Sequence, residues 1–410
     1  MFYYEEDESS PEESFKLEKQ KLEKENFKWE NYSKRLFSKN KKSYTTQDTN
    51  LIKKLLFNPL PNKYRKQFWL ISTGAKRELI NNKNYYKNLL QTYPKKIPFP
   101  FEESINLDLH RTFPELDFFQ NEENIKKMKN ILMAFAMRNV SIGYCQGFNF
   151  IVGKLLMIIE NEEETFWVFT NICENYLPFD FYLQFTGVRT DIEIIKKIIY
   201  LIIPEMINNE NFELCISNLV AQCFISLFSN YVNDNILFCI WDSFFIYGNI
   251  ILYKAFIWVV TLIYDQNIKN YELSSLQSIL FQKMKIENNT DTLNYYLMVF
   301  IRFNSTYVDH YRNKISKKTI KENNNFRKRK INYNNSIKCD KSMPFCLYNN
   351  EIDDIVNLNQ FYVLKCNQKI EIRDDYFWGE FEKDLENYIE HKITIDDLLI
   401  EHQIHYCPDD

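Results

Sequence analysis

Turn-forming residues are scarce along this chain, and that scarcity limits the folds it can adopt. Its 410 residues include only 7 glycines and 11 prolines. Sandwiches and barrels need many short turns, which are rich in these two residues. Hydrophobic residues make up 45% of the chain, so the apolar surface suffices for a large core. We therefore predict an all-α fold of long helices joined by polar loops.

The length and the changes of composition predict several segments. Single hydrophobic cores stop growing near ~250–300 residues, so the chain suits two compact lobes or one large domain with extensions. In chain order we predict an acidic, partly disordered N-terminus with a surface helix, an apolar helical domain, a basic linker rich in Asn and Lys, and a small mixed α+β C-terminal extension, over residues 1–49, 50–310, 311–340 and 341–410. In the first segment, Ser14 is predicted to cap one helix that runs to about Arg35.

Charge and cysteine placement exclude several function classes. The net charge is −4, which provides no general positive field for nucleic acid or an anionic membrane. The cysteines form no Cys-x-x-Cys pair and lie mostly inside apolar runs, so neither a zinc site nor a disulfide framework is indicated. The most apolar region, 236–264, contains Asp242 and Lys254, which indicates buried helices instead of a membrane span. We expect a cytoplasmic protein without a metal site.

The segment around Arg111 is the first candidate for a functional site. Ile105, Asp108 and Arg111 follow one another at three-residue steps, which is the spacing of one helix face. Phe113 and Pro114 end this pattern, because proline cannot continue a helix. Arg111 is therefore predicted at, or just past, the end of a short helix.

A second candidate segment surrounds Gln146. A helix is predicted from Glu122 to Asn139, and a strongly apolar helix should begin near Gln146 and run through Ile158. Gly143 lies in the polar elbow between them and can take a positive φ. Gln146 is thus predicted near a helix N-terminus, where backbone amides lack helical partners.

Other motifs fail on spacing or context. Gly147 to Lys154 is similar to a phosphate loop, but five residues separate its glycines and Leu155 takes the required Ser/Thr position. His402 and His405 share a helix face without convergent ligands. The basic run 317–330 is interpreted as a solvated linker, with binding of anionic lipid or nucleic acid, or an import signal, as alternatives.

Three motifs together resemble the signatures of the TBC domain family, the GTPase-activating proteins for Rab-type small GTPases. They occur in the family's order and spacing, as Arg65-x-x-x-Trp69, Ile105-x-x-Asp108-x-x-Arg111 and Tyr144-x-Gln146. The run from Gly143 to Asn149 and the sequence Ile240-Trp241-Asp242 add to the likeness. It covers about residues 50–305 and implies a two-lobed helical TBC-type domain within 50–310.

The resemblance also implies a mechanism. The partner GTPase would carry the GTP and magnesium, so this chain would need no cofactor of its own. Arg111 would act as an arginine finger that stabilises the negative charge of the transferring phosphoryl group, and Gln146 would hold the attacking water. The partners implied are a Rab-type GTPase and, peripherally, the endomembranes of vesicle traffic.

The remaining motif residues are expected to support the two fingers. Asp108 would orient the arginine segment, while Tyr144 and Asn149 would shape the elbow. The family resemblance assigns further supporting or GTPase-binding positions to Ile105, Thr112, Gly147, Arg65 and Trp69, of which the last two are expected to pack and to hold the finger segments. Where the family commonly has glycine after its first-motif arginine, this chain has Lys66, and a tryptophan near Cys223 is missing.

Each assignment has a purely structural alternative. Arg111 could pair with Asp108, and Gln146 could satisfy buried backbone groups. At the level of function, the alternatives are a catalytically inactive TBC-fold effector that only binds a Rab, and a helical scaffold unrelated to GTPases.

Overall fold

A computed structural model describes residues 11–24, 27–92, 101–178, 180–183, 186–202, 210–263 and 273–300, together with 308 and 312. Every regular element among these residues is helical and none is a strand, so the predicted all-α fold is confirmed for this part of the chain. No helix in the same ranges is long and apolar enough to cross a membrane. Apart from Arg312, the predicted linker and the mixed α+β extension lie outside the described residues.

The helices after residue 60 pack as two groups. The first lobe is built around α10, which contacts α4, α5, α8 and α9. Its helices, with the N-terminal ones before them, are α1 Pro11–Lys24, α2 Trp29–Leu36, α3 Thr46–Leu55, α4 Asn62–Ser72, α5 Ala75–Asn81, α6 Tyr85–Thr92, α7 Glu102–Leu109, α8 Glu122–Arg138, α9 Phe148–Ile159 and α10 Glu162–Asn171.

The second lobe is built around α14, an apolar helix, and begins after a π-helical turn at Ile172–Tyr176. Its helices are α11 Thr186–Ile202, α12 Glu210–Ile225, α13 Asp234–Tyr247, α14 Ile250–Ile263, α15 Leu273–Ile286 and α16 Thr290–Tyr295. Helix α14 contacts α11, α12, α13 and α15, whereas α13 also packs on α3 and α4. Helix α13 therefore joins the two lobes.

Asparagine side chains begin many of these helices. An asparagine at the N-cap accepts a hydrogen bond from a first-turn amide at the start of four helices, through Asn121, Asn161, Asn233 and Asn289. Such a cap satisfies an amide that has no helical partner. Four of the asparagines between the apolar runs thus help to initiate helices.

The prediction of one N-terminal helix from Ser14 to Arg35 was wrong. Two helices occupy the region: α1 begins at Pro11, a residue favoured at the first helical position, and Lys28 before α2 is extended, with φ −104° and ψ 142°. The break lets the two helices bury different faces. Phe15 of α1 packs edge-on to Tyr295, whereas Trp29 of α2 packs against Phe68.

A buried ion pair connects α4 to α13. The Arg65 guanidinium and the Asp242 carboxylate approach to 3.1 Å, and their side chains are only 4% and 1% exposed. The Trp69 indole donates to Asp242 at 2.7 Å, and Arg65 also donates to the Leu60 carbonyl at 2.7 Å. Burial raises the pKa of Asp242, and the charge of Arg65 opposes that rise. Within the described residues, the polar groups of Arg65 and Trp69 thus hydrogen-bond to α13 and, for Arg65, to Leu60 and Asn62.

Replacing Arg65 by Met should strongly destabilise the domain. The substitution leaves the Asp242 carboxylate buried without a counter-charge, a change that costs about 3–5 kcal/mol. Urea unfolding followed by circular dichroism measures the loss. The control is Lys63→Met, whose partner Glu30 is exposed, and it should leave the free energy of unfolding nearly unchanged. Equal effects of the two variants would contradict this role for the Arg65 ion pair.

Lys254 provides a second test of buried charge in the second lobe. Its ammonium donates to the Leu297 carbonyl at 2.9 Å, and burial lowers its pKa from 10.5 to about 8. At a pH between these two pKa values, Lys254 is protonated in the unfolded chain and neutral in the folded chain, so the free energy of unfolding rises with pH. The free energy of unfolding of wild type relative to Lys254→Met should therefore increase from pH 8 to 10.5. A difference independent of pH would contradict this shift.

Candidate functional site

The arginine segment follows directly on α7. Ile105 and Leu109 are buried and anchor this helix in the first lobe. The backbone then turns, because the amide of Arg111 donates to the carbonyl of Asp108 at 3.1 Å. Arg111 itself is exposed, two residues past the helix end, in agreement with the position that its spacing predicts.

Phe113 fixes the direction in which this segment leaves the turn. Its φ is +44°, a left-handed conformation that costs free energy for a residue with a side chain. The ring is held by Phe119 and Phe150, with centroid distances of 5.4 Å and 5.2 Å. The ammonium of Lys154 lies 4.2 Å from the centroid of the same ring. These contacts offset the backbone strain.

The glutamine segment is a tight elbow between α8 and α9. Gly143 and Gly147 both take positive φ, of +65° and +113°. A Cβ at Gly143 would lie 2.1 Å from the Phe101 ring, so only glycine fits there. Helix α9 begins at Phe148, two residues later than predicted. Gln146 consequently precedes the helix and is exposed, between the buried Cys145 and Gly147.

A network of buried and partly buried hydrogen bonds joins the two segments. The Tyr144 hydroxyl donates to the Asp108 carboxylate at 2.7 Å, and the Asn149 amide donates to the Thr112 hydroxyl at 2.9 Å. The Asn149 oxygen accepts the backbone amide of Gly147 at 3.1 Å. The Thr112 hydroxyl donates in turn to the Asp108 carbonyl at 2.8 Å. We call these four side chains, Asp108, Thr112, Tyr144 and Asn149, the finger brace.

The protonation states of the elbow suit a bracing role. Burial, together with the nearby Asp108 carboxylate, raises the pKa of Tyr144 well above its usual range, so its hydroxyl remains a donor. Burial also raises the pKa of Cys145 to about 12. A thiol with that pKa is protonated near neutral pH and is a poor nucleophile. Arg111 and Gln146 are exposed beside these buried and partly buried groups.

Comparison with known proteins identifies the fold and its family. A sequence model of the Rab-GTPase-TBC domain family matches residues 62–269. The chain belongs to this family. The TBC domain so defined contains both exposed candidate residues and the whole finger brace, and the resemblance drawn from the sequence motifs is confirmed.

Individual relatives agree with this assignment. Growth hormone-regulated TBC protein 1-A of Danio rerio is 32% identical over 218 residues, which cover 51% of this chain and 59% of the relative. Growth hormone-regulated TBC protein 1 of Homo sapiens is 30% identical over 208 residues, covering 50% and 61%. The chain thus spans about three fifths of the length of these relatives.

Two solved structures share the TBC fold. The Chlamydomonas flagellar RabGAP TBC domain aligns with a TM-score of 0.54 and 20% identity, over 70% of this chain and 96% of that one. The Ypt/Rab-GAP domain of Gyp1p aligns with a TM-score of 0.54 and 16% identity, over 68% and 96%. At these identities the likeness establishes the architecture.

The geometry bears on the structural alternatives for the two exposed residues. Within the described residues, the Asp108 carboxylate is hydrogen-bonded to Tyr144, and no ion pair joins it to Arg111. The Gln146 side chain is exposed, so it does not serve buried backbone groups. Both side chains of the TBC domain are therefore available to an incoming partner.

Sequence reasoning missed the supporting role of one lysine. Lys154 was rejected as a phosphate-loop lysine, and in the TBC domain it is buried within α9 and ion-paired to Asp234 at 2.7 Å. The sequence did contain a signal for this contact, because Lys154 is the one charged residue in the mostly apolar sequence of α9. A charge in such a helix requires a specific partner.

Replacing Asn149 by Ala should loosen the elbow of the TBC domain. The variant removes the acceptor of the Gly147 amide and the donor to the Thr112 hydroxyl, which keeps its bond to the Asp108 carbonyl, at a cost of about 1–3 kcal/mol. Hydrogen exchange of the Gly147 amide should accelerate. The matched control is Asn161→Ala, which removes another asparagine that accepts a helix-start amide, that of Glu164. The proposed brace would be refuted if Gly147 exchanged at the same rate in both variants.

Proposed function

We propose that this TBC domain accelerates GTP hydrolysis by a Rab-type small GTPase, with Arg111 and Gln146 supplied in trans. The observation that carries the proposal is the finger brace. It joins two segments that each present one exposed polar side chain of the type that this reaction needs. Membership of the Rab-GTPase-TBC family supports the identity of the partner.

Arg111 would stabilise the negative charge of the transition state. The γ-phosphoryl group leaves through a state rich in negative charge, and an arginine supplied in trans accelerates such steps by ~10³ to 10⁵. The guanidinium remains charged at all accessible pH values and can donate to two phosphate oxygens at once through its planar fork. Its exposed position past the end of α7 suits insertion into a partner's nucleotide site.

Gln146 would position the attacking water. Its amide carries both a donor and an acceptor, so it can bind a water and the phosphoryl oxygens together. Holding the water in line with the γ-phosphoryl group lowers the entropic cost of reaching the reactive geometry. Gly147, which follows Gln146, has a left-handed backbone, and its N–H donates a hydrogen bond to the Asn149 side chain. This anchor limits the motion of the Gln146 side chain.

In this proposal the partner GTPase binds the nucleotide. GTP and magnesium would belong to the GTPase, and this chain would contribute side chains without a cofactor. Because Rab-type GTPases are lipid-anchored, we place the encounter at the cytoplasmic surface of endomembranes, with this protein bound peripherally. The cellular consequence would be to end a Rab-dependent step of vesicle traffic.

Single-turnover hydrolysis across a panel of GTP-loaded Rab-type GTPases tests the proposal. Arg111→Ala should lower the stimulated rate by about 10³-fold or more, and Gln146→Ala by about 10²-fold, the order found when one transition-state donor is removed. Because both side chains are exposed, the melting temperature should not change in either variant.

The controls are Arg189→Ala, which removes an exposed arginine of the TBC domain, and Gln47→Ala, which removes an exposed glutamine of the preceding helix α3. Both should retain the wild-type rate. If the wild-type protein bound a GTPase of the panel but stimulated none, the chain would be a binding-only effector. If it bound none, the scaffold alternative would replace the proposal.

A further inference from the structure

Lys154 is the most unusual charge of the first lobe. It lies in the middle of α9, whose sequence is Phe-Asn-Phe-Ile-Val-Gly-Lys-Leu-Leu-Met-Ile-Ile. Its side chain is only 6% exposed. Removing an ammonium group from water is costly unless other groups replace the lost hydration. The structure therefore must supply partners, and these partners indicate what the lysine does.

Two groups replace the water around the Lys154 ammonium. The first is the Asp234 carboxylate, at 2.7 Å. Asp234 is the first residue of α13, where the helix dipole favours a negative side chain. The second is the ring face of Phe113, whose centroid lies 4.2 Å away, a cation–π distance. Lys154 thus contacts the second lobe and the arginine segment at the same time.

The Phe113 ring controls the course of the arginine segment. Phe113 follows Arg111 by two residues and holds a left-handed backbone with φ +44°. Thr112 between them is buried and hydrogen-bonded to Asn149. The neighbouring Gly153 packs closely on this segment, since a Cβ there would lie 3.1 Å from the Phe119 ring and 3.4 Å from the Thr112 methyl group. A shift of the Phe113 ring therefore has to move the backbone that carries Arg111.

We propose that Lys154 is a positioning residue for the arginine finger. It does not touch the nucleotide. Its ammonium binds both the Phe113 ring and the Asp234 carboxylate. The orientation of Arg111 therefore depends on the position of α13 and the second lobe. This inference rests on the proposed GTPase-activating function. The finger brace aligns the two segments with each other, whereas Lys154 aligns the arginine segment with the rest of the domain.

Lys154→Met tests the proposal, because Met fills a similar volume without the charge. Asp234 is 40% exposed and can be solvated when its partner is removed. The kcat of stimulated hydrolysis should fall by about tenfold to 10²-fold, the size of effect expected from a misplaced catalytic group. The KM for the GTPase should stay unchanged, since the docking surface remains. Lys154→Arg should recover part of the kcat, because a guanidinium can both pair with Asp234 and stack on Phe113.

The route of the effect is tested by combining substitutions. If Lys154 acts through Arg111, Lys154→Met should cause no further loss of kcat in an Arg111→Ala background. In a Gln146→Ala background it should cause its full loss. An equal loss in both backgrounds would overturn the positioning role and leave Lys154 with a general structural effect.

Lys254→Met serves as the matched control, since it removes another buried lysine from an apolar helix, in the second lobe. Its kcat should equal that of the wild type. A readout without a GTPase completes the test: hydrogen exchange of residues 109–114 should accelerate in Lys154→Met and not in Lys254→Met. If no GTPase responded to the wild-type protein, the proposed function would fail by itself. Unchanged exchange or unchanged kcat in Lys154→Met would overturn the inference about Lys154.

Discussion

The hydrogen bond from the Tyr144 hydroxyl to the Asp108 carboxylate, at 2.7 Å, is the contact on which the arrangement of the site depends. It joins a helix end to an elbow that lies more than thirty residues later in the chain. Neither segment has a regular structure that would hold an exposed side chain in place. Because the bond is partly buried and has a charged acceptor, it is among the stronger hydrogen bonds available to a protein. The Asn149 amide adds a second connection, to Thr112.

Two ion pairs with buried cations connect helices of the first lobe to α13 of the second lobe. The Arg65–Asp242 pair joins α4 to α13, and the Lys154–Asp234 pair joins α9 to the first turn of α13. Helix α13 thus receives a cation from each of two helices of the first lobe. Buried ion pairs contribute little net stability relative to apolar contacts, but they tolerate few alternative arrangements. In this domain they favour one position of α13 relative to the first lobe. Lys154 links that position to the arginine segment, because its ammonium contacts both Asp234 and the Phe113 ring.

Local patterns were sufficient to predict much of this fold. The three-residue spacing of Ile105, Asp108 and Arg111 predicted the arginine at or just past a helix end, as observed. The apolar run after Gln146 predicted a helix that begins near the glutamine, two residues before its observed start at Phe148. Contacts between distant residues could not be predicted in this way. Asp242 lies 177 residues from Arg65, and nothing in a single sequence pairs them. The left-handed turn at Phe113 was equally hidden, because it is imposed by the surrounding rings and by Lys154.

In the proposed mechanism, Arg111 and Gln146 act as one unit held by the finger brace. Tyr144→Phe removes a single hydroxyl and keeps the ring, so it weakens the brace without removing a finger. The most direct measurement is the single-turnover rate of GTP hydrolysis by a responsive GTPase at saturating concentration. We expect the rate to fall about tenfold, equivalent to ~1.4 kcal/mol, with unchanged affinity for the GTPase. A wild-type rate from the folded Tyr144→Phe protein would contradict it.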